Sequence, residues 1–107
     1  MVIASIVKNN LDPITEACKK YTVKSLYLFG SATSENFNLE SDLDFLVEYF
    51  QDAEGLPEAP FDYFDLLFSL EAITGKKIDL VVKEAVRNSY FKKSLEEQKI
   101  LIYGQRD

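Results

Sequence analysis

The chain has no histidine among its 107 residues. Histidine general bases, histidine-zinc sites and Ser-His-Asp triads are therefore excluded within it. It has a single cysteine, Cys18, so no internal disulfide can form, and a reducing, cytoplasmic setting is expected. No apolar run approaches the roughly 20 residues of a membrane span, so no membrane contact is expected. The opening residues, Met1-Val2-Ile3-Ala4-Ser5-Ile6-Val7, lack a basic start and a long apolar stretch, and they do not read as a secretory signal. Positive charge is also scarce. Twelve Lys and Arg stand against 18 Asp and Glu, a formal charge of −6. That balance argues against tight binding of a nucleic-acid polymer, whose affinity rests on phosphate neutralisation. A nucleoside triphosphate is not excluded, because a divalent cation and a few local groups can meet its charge.

What is present is enough to fold. The composition is 47% hydrophobic, and the length suits one domain over residues 1–107 with a single modest core. Residues 2–11 read as helical. Asp12-Pro13 is a helix-start pair, Asp as cap and Pro at the first helical position. Ile14, Ala17, Cys18 and Tyr21 then recur at helical spacing on one face, to about residue 20. Strands are predicted over 24–29, 43–49 and 77–82. A short helix and polar loop are predicted over 31–40, and a mobile loop near the site over 51–60. Asn88 to Gln98 reads as a helix with Tyr90, Phe91 and Leu95 as its apolar contacts, followed by a short extended piece from Ile100 to Tyr103 and a frayed end from Gly104.

The helix predicted over 61–74, stopped by Gly75, carries two apolar stripes. Tyr63, Leu66, Leu67, Leu70 and Ile73 suit the core. Phe61, Phe64, Phe68 and Ala72 lie on nearly the opposite side. A surface helix needs only one apolar face. The second stripe is either covered by another part of the chain or is an interface, including one between copies of the chain.

The chemistry concentrates between residues 25 and 47. The apolar run Leu26 to Phe29 ends at Gly30-Ser31. Ten residues later come Asp42 and Asp44, and the next apolar run, Phe45 to Val47, follows at once. Far downstream, Ile78-Asp79-Leu80-Val81-Val82 carries one more carboxylate within a β-prone run. A strand opening through Gly-Ser into a helix offers free backbone N–H groups and a helix dipole to a phosphate. Gly30 permits close backbone approach, and the Ser31 hydroxyl can donate to a phosphate oxygen. Asp42 and Asp44 point the same way on an extended strand. Such a pair repels itself unless a cation intervenes. Mg²⁺ takes one or two carboxylates and completes its shell with substrate phosphates. A third carboxylate, Asp79, would complete a two-metal arrangement for in-line displacement. Singly, a Gly-Ser turn, an Asp-Leu-Asp and an isolated strand Asp are ordinary surface features. Their combination and spacing make the catalytic reading.

With these residues in place, Leu-Tyr-Leu-Phe-Gly-Ser, ten residues, Asp-Leu-Asp and the later Asp79 resemble the DNA polymerase beta superfamily of nucleotidyltransferases. The small size resembles its minimal nucleotidyltransferase (MNT) branch, over about residues 10–103. The resemblance implies an α/β (α+β) fold, a small mixed β-sheet flanked by helices. It implies a Mg²⁺-dependent adenylyltransferase with ATP as substrate. Gly30 and Ser31 would hold the β- and γ-phosphates, Asp42 and Asp44 would bridge two Mg²⁺ ions, and Asp79 would act with the second ion or as general base. It further implies pairing with a helical HEPN-type protein, in which the chain acts as an antitoxin by modifying a tyrosine. The chain departs from a common family feature: Ala32-Thr33-Ser34-Glu35 stands where many relatives carry an arginine. Lys76, Lys77 and Lys83 are candidate replacements for that phosphate clamp. The alternative is a non-catalytic module that binds nucleotide and neutralises its partner by contact.

Overall fold

The computed structural model describes residues 4–33, 42–55 and 62–104. Its centre is a four-stranded sheet in the order β3-β2-β1-β4. The strands are β1 (Val23–Phe29), β2 (Leu43–Tyr49), β3 (Ile78–Val82) and β4 (Ile100–Gly104). β1 runs antiparallel to both β2 and β4, whereas β2 and β3 are parallel. This is the mixed sheet expected, and the helices flank it: α1 (Ser5–Lys8), α2 (Leu11–Lys20), α3 (Tyr63–Thr74) and α4 (Ser89–Gln98).

The two central strands are covered on both faces. Every residue of β1 except Lys24 is buried, and every residue of β2 except Asp44. That is why their sequences run apolar without alternation. Leu26, Leu28, Phe45, Val47, Ile78 and Leu80 face a core shared with Val7, Ile14, Cys18, Leu66 and Leu70 of α1, α2 and α3. Tyr27, Phe29 and Leu46 face the other way, onto Leu95 of α4, with Val81 and Leu101 alongside.

The core stripe of α3 is as its spacing predicts. Leu66 and Leu70 are buried, and Tyr63, Leu67 and Ile73 pack against the same core. Gly75 ends the helix in the left-handed conformation, φ 68°, and its N–H closes the last turn on the Glu71 carbonyl at 2.8 Å. In α2, Ile14, Ala17 and Cys18 are the buried residues.

Some details differ from expectation. α1 covers only Ser5–Lys8, shorter than the predicted 2–11, and residues 1–3 lie outside the described residues. α2 begins at Leu11, not after Asp12. The Asn10 side chain donates back to the Ile6 carbonyl at 2.7 Å, and its own carbonyl accepts the first helical bond, from Ile14 N–H at 3.0 Å. Asp12 and Pro13 then both sit in the first turn, where a carboxylate favours the dipole and a missing N–H costs nothing. Tyr90 is not an apolar contact of α4, being 84% exposed. Gly104 belongs to β4, not to a frayed end; residues 105–107 lie outside the described residues, as do 34–40 and 56–60 of the predicted loops. No helix among the described residues is long and apolar enough to cross a membrane.

Tyr49 closes β2 on the larger core, and its hydroxyl is buried with no hydrogen-bond partner among the described residues. Burial foremost, then the neighbouring Tyr63 and Asp62, pushes its pKa from 10.0 to about 12. Burial likewise lifts Cys18 from 9.0 to about 12. Both groups ionise more readily in the unfolded chain. The stability this lends is complete below pH 9.0 and is lost as pH rises toward 12. Tyr49→Phe removes a hydroxyl that is desolvated without compensation. It should leave stability at pH 7 unchanged or raised, and urea unfolding across pH should show a flatter alkaline loss between pH 10 and 12. A variant clearly weaker at pH 7 would mean that the hydroxyl is stabilising.

Candidate active site

Strand register builds the site. Phe29 of β1 pairs with Asp44 of β2, and Asp44 pairs with Asp79 of β3. Alternation puts Asp44 on the same face as Leu46, and Asp79 on the same face as Val81. Both therefore lie on the α4 side, in one row with Phe29. Asp42 immediately precedes β2 and is exposed; Asp79 is exposed at the start of β3, and Asp44 is half-buried between its neighbours.

The electrostatics follow. Burial first, then the charge of Asp79, then that of Asp42, raises the Asp44 carboxyl above its ordinary 3.8. The three carboxylates thus lie within electrostatic reach of one another. Among the described residues, no three Asp, Glu or Cys side chains converge tightly enough to form a ready-made cation cage. Asp42 and Asp79, being exposed, have the rotamer freedom to turn toward Asp44.

Gly30 is placed against this row. Its φ is 73°, a conformation that favours glycine, and a Cβ built there would run into the Asp44 carboxylate. The residue between the apolar strand and the serine must therefore be glycine for two reasons, backbone conformation and close approach. Beyond it, the chain forms a 3-10 helix, Gly30–Thr33, where a short helix was expected. The Thr33 hydroxyl donates to the Gly30 carbonyl at 2.8 Å and closes the turn. A turn this short has little macrodipole, so any anion binding here depends on its individual N–H groups. The Ser31 side chain, and the rest of the predicted 31–40 helix and loop, lie outside the described residues.

Of the candidate lysines, Lys83 is engaged elsewhere. Its ammonium pairs with Glu48 at 3.2 Å, beyond the end of β3 opposite Asp79. Lys77 is exposed just before β3, and its carbonyl accepts the Leu43 N–H at 3.1 Å. Tyr63 is a neighbour that sequence reasoning placed only in the core. Its hydroxyl donates to the Leu80 carbonyl at 2.6 Å, and burial together with Asp79 raises its pKa. It ties α3 to β3 beside the acidic row. A bond from a side chain to a backbone atom of another element leaves no trace in spacing.

The comparisons with known proteins bear on the family and the fold. The family model described as a nucleotidyltransferase domain matches residues 13–102. Two relatives from Methanocaldococcus jannaschii are named "Putative protein adenylyltransferase MJ1379" and "Putative protein adenylyltransferase MJ0128". They are 42% and 39% identical over 83 and 84 residues, each covering 78% of this chain and 80% and 81% of the relative. The fold is similar to the solved structure of a "putative minimal nucleotidyltransferase", with TM-score 0.72 and 20% identity over 92% of this chain and 95% of that one. It is also similar to a chain of a toxin-antitoxin crystallised with AMP-PNP, at TM-score 0.68 and 19% identity over 91% and 75% of the two chains. A third similar chain comes from a tri-AMPylated Shewanella oneidensis HEPN toxin in complex with an MNT antitoxin, at TM-score 0.63 and 19% identity over 92% and 73%.

The raised Asp44 pKa has a sign that can be tested. Folding disfavours ionised Asp44, so its contribution to stability is complete below pH 3.8 and is lost as pH rises above that value. Asp44→Asn should therefore unfold at higher urea than the parent at pH 7 without divalent cations, and the gain should vanish near pH 3. An Asn variant less stable at pH 7 would contradict the picture of self-repelling carboxylates.

Proposed function

The chain belongs to the nucleotidyltransferase domain family, and we propose that it transfers AMP from ATP to a hydroxyl of a separate HEPN-type protein, a tyrosine by preference, as an antitoxin. The observation that carries this reading is the acidic row Asp44-Asp79, with Asp42 beside it and Gly30 pressed against Asp44. The names of the M. jannaschii relatives support adenylyl transfer to protein. The AMP-PNP complex and the AMPylated HEPN toxin among the structural neighbours support the nucleotide and the partner. A cytoplasmic setting belongs to this reading and is in keeping with the lone, buried thiol of Cys18.

The donor set fits Mg²⁺. Asp42, Asp44 and Asp79 are hard oxygen ligands, and Asp44 carries a repulsion from its neighbours that a cation would relieve. When bound, Mg²⁺, as one ion or two, supplies charge neutralisation at the triphosphate and a lowered pKa at the acceptor hydroxyl. The chain's own groups do the rest. Gly30 and Ser31 hold the β- and γ-phosphates through backbone N–H groups. Asp79 takes the proton of the acceptor hydroxyl. The acceptor oxygen then bonds to the α-phosphorus as its bond to the bridging oxygen breaks, and pyrophosphate leaves. An acceptor on another chain is supported by the AMPylated HEPN toxin, which is a separate chain from the MNT antitoxin it is bound to.

The second reading keeps the nucleotide site but neutralises the partner by contact alone. Ala32-Thr33 in place of an arginine favours it. Transfer of label from α-labelled ATP with Mg²⁺ to the protein encoded beside this one separates the two. Label on that protein, absent with Asp42→Asn/Asp44→Asn, is expected. A labelled partner with the double variant would refute the metal assignment, and a tight, unlabelled complex would favour the contact reading.

The second stripe of α3 supplies a surface for such contact or for self-association. Phe64 and Phe68 are 62% and 60% exposed, their rings 6.2 Å apart; Phe61 lies outside the described residues. Serine at both positions should weaken self-association or complex formation in sedimentation, while urea unfolding changes little. Unaltered association would rule out this face.

A further inference from the structure

We infer that the ring of Phe91, in the first turn of α4, is the stacking platform for the purine base of the nucleoside triphosphate; this rests on the nucleotidyl-transfer reading and deepens it. A base held at a site needs a flat apolar partner, since stacking accepts the π-face that every base has. Among the described residues the exposed large aromatics are Phe50, Phe64, Phe68, Tyr90 and Phe91. Phe64 and Phe68 ride on α3, whose buried residues pack on the opposite face of the sheet from Asp44. Phe50 follows the far end of β2. Among the described exposed aromatics, only Tyr90 and Phe91 ride on α4, the helix that packs on the carboxylate face.

Within α4, Phe91 is the one held in place. Its ring stands edge-on to Phe29, centroids 6.1 Å apart and planes at 70°. Phe29 is the cross-strand partner of Asp44 and immediately precedes Gly30. The Asn88 side chain caps α4 by accepting the Phe91 N–H at 3.0 Å, so backbone and ring are both positioned before any ligand arrives. Yet Phe91 remains 40% exposed. Tyr90, at 84% exposure, has no ring contact among the described residues. Phe91, Phe29, Asp44 and Asp79 thus run from an open aromatic surface to an anionic row. The base and polyphosphate-metal ends of a nucleoside triphosphate are ordered in the same sense.

The test compares binding of Mg-ATP, Mg-CTP and Mg-tripolyphosphate to the intact chain and to Phe91→Ala and Phe91→Trp. Wild type should prefer ATP to CTP. Loss of a stacking partner should weaken ATP by about tenfold or more, leave tripolyphosphate unchanged and erase the purine preference, and Phe91→Trp should restore it. Unchanged ATP affinity in Phe91→Ala would overturn the platform. So would equal weakening of ATP and tripolyphosphate, which would make Phe91 a packing residue for Phe29. Wild-type chain that binds neither ligand would overturn the nucleotidyl-transfer reading itself, and this inference with it.

Discussion

The pairing of three neighbouring strands sets everything at the site. Because β1 and β2 are antiparallel and β2 and β3 parallel, Phe29, Asp44 and Asp79 fall in one row. A shift of one residue in either register would turn a carboxylate into the core that Leu43, Phe45 and Leu80 now fill. Those apolar neighbours are what fix the register. The same alternation that buries Leu43 and Phe45 on one face delivers Asp44 to the other.

That placement has an energetic cost, visible at Asp44. Its carboxyl is partly desolvated and faces two others, so its charged form is disfavoured in the folded chain. Gly30, having no Cβ, leaves the space that this carboxylate occupies. A fold that held such a group for structural reasons alone would gain by replacing it. At the proposed site a divalent cation would reverse the sign of that interaction. The apolar contacts of the sheet, with α1, α2 and α3 on one face and α4 on the other, are what tolerate it.

Much of this was legible in the sequence, for a specific reason in each case. The two central strands announce themselves as apolar runs because both their faces are covered. The α3 core stripe is legible because helical spacing is strict, and Gly75 because a left-handed cap favours glycine. Gly30 and the three aspartates stood out through spacing. What was hidden is what depends on contact between distant elements. The start of α2 moved because Asn10 turned back to Ile6. The turn after Gly30 proved to be 3-10, closed by Thr33. The link from Tyr63 to Leu80 and the edge-on pair Phe29-Phe91 join residues 17 and 62 positions apart. No local pattern encodes either.

We propose that the acidic row is a joint site for a divalent cation and a nucleoside triphosphate. Calorimetric titration of the intact chain with ATP, with and without Mg²⁺, beside the same titration of Asp44→Asn, tests it most directly. ATP binding that Mg²⁺ strengthens is expected in the parent chain, with loss of that dependence in the variant. Equal affinity with and without Mg²⁺, or a variant that responds to Mg²⁺ as the parent does, would contradict it.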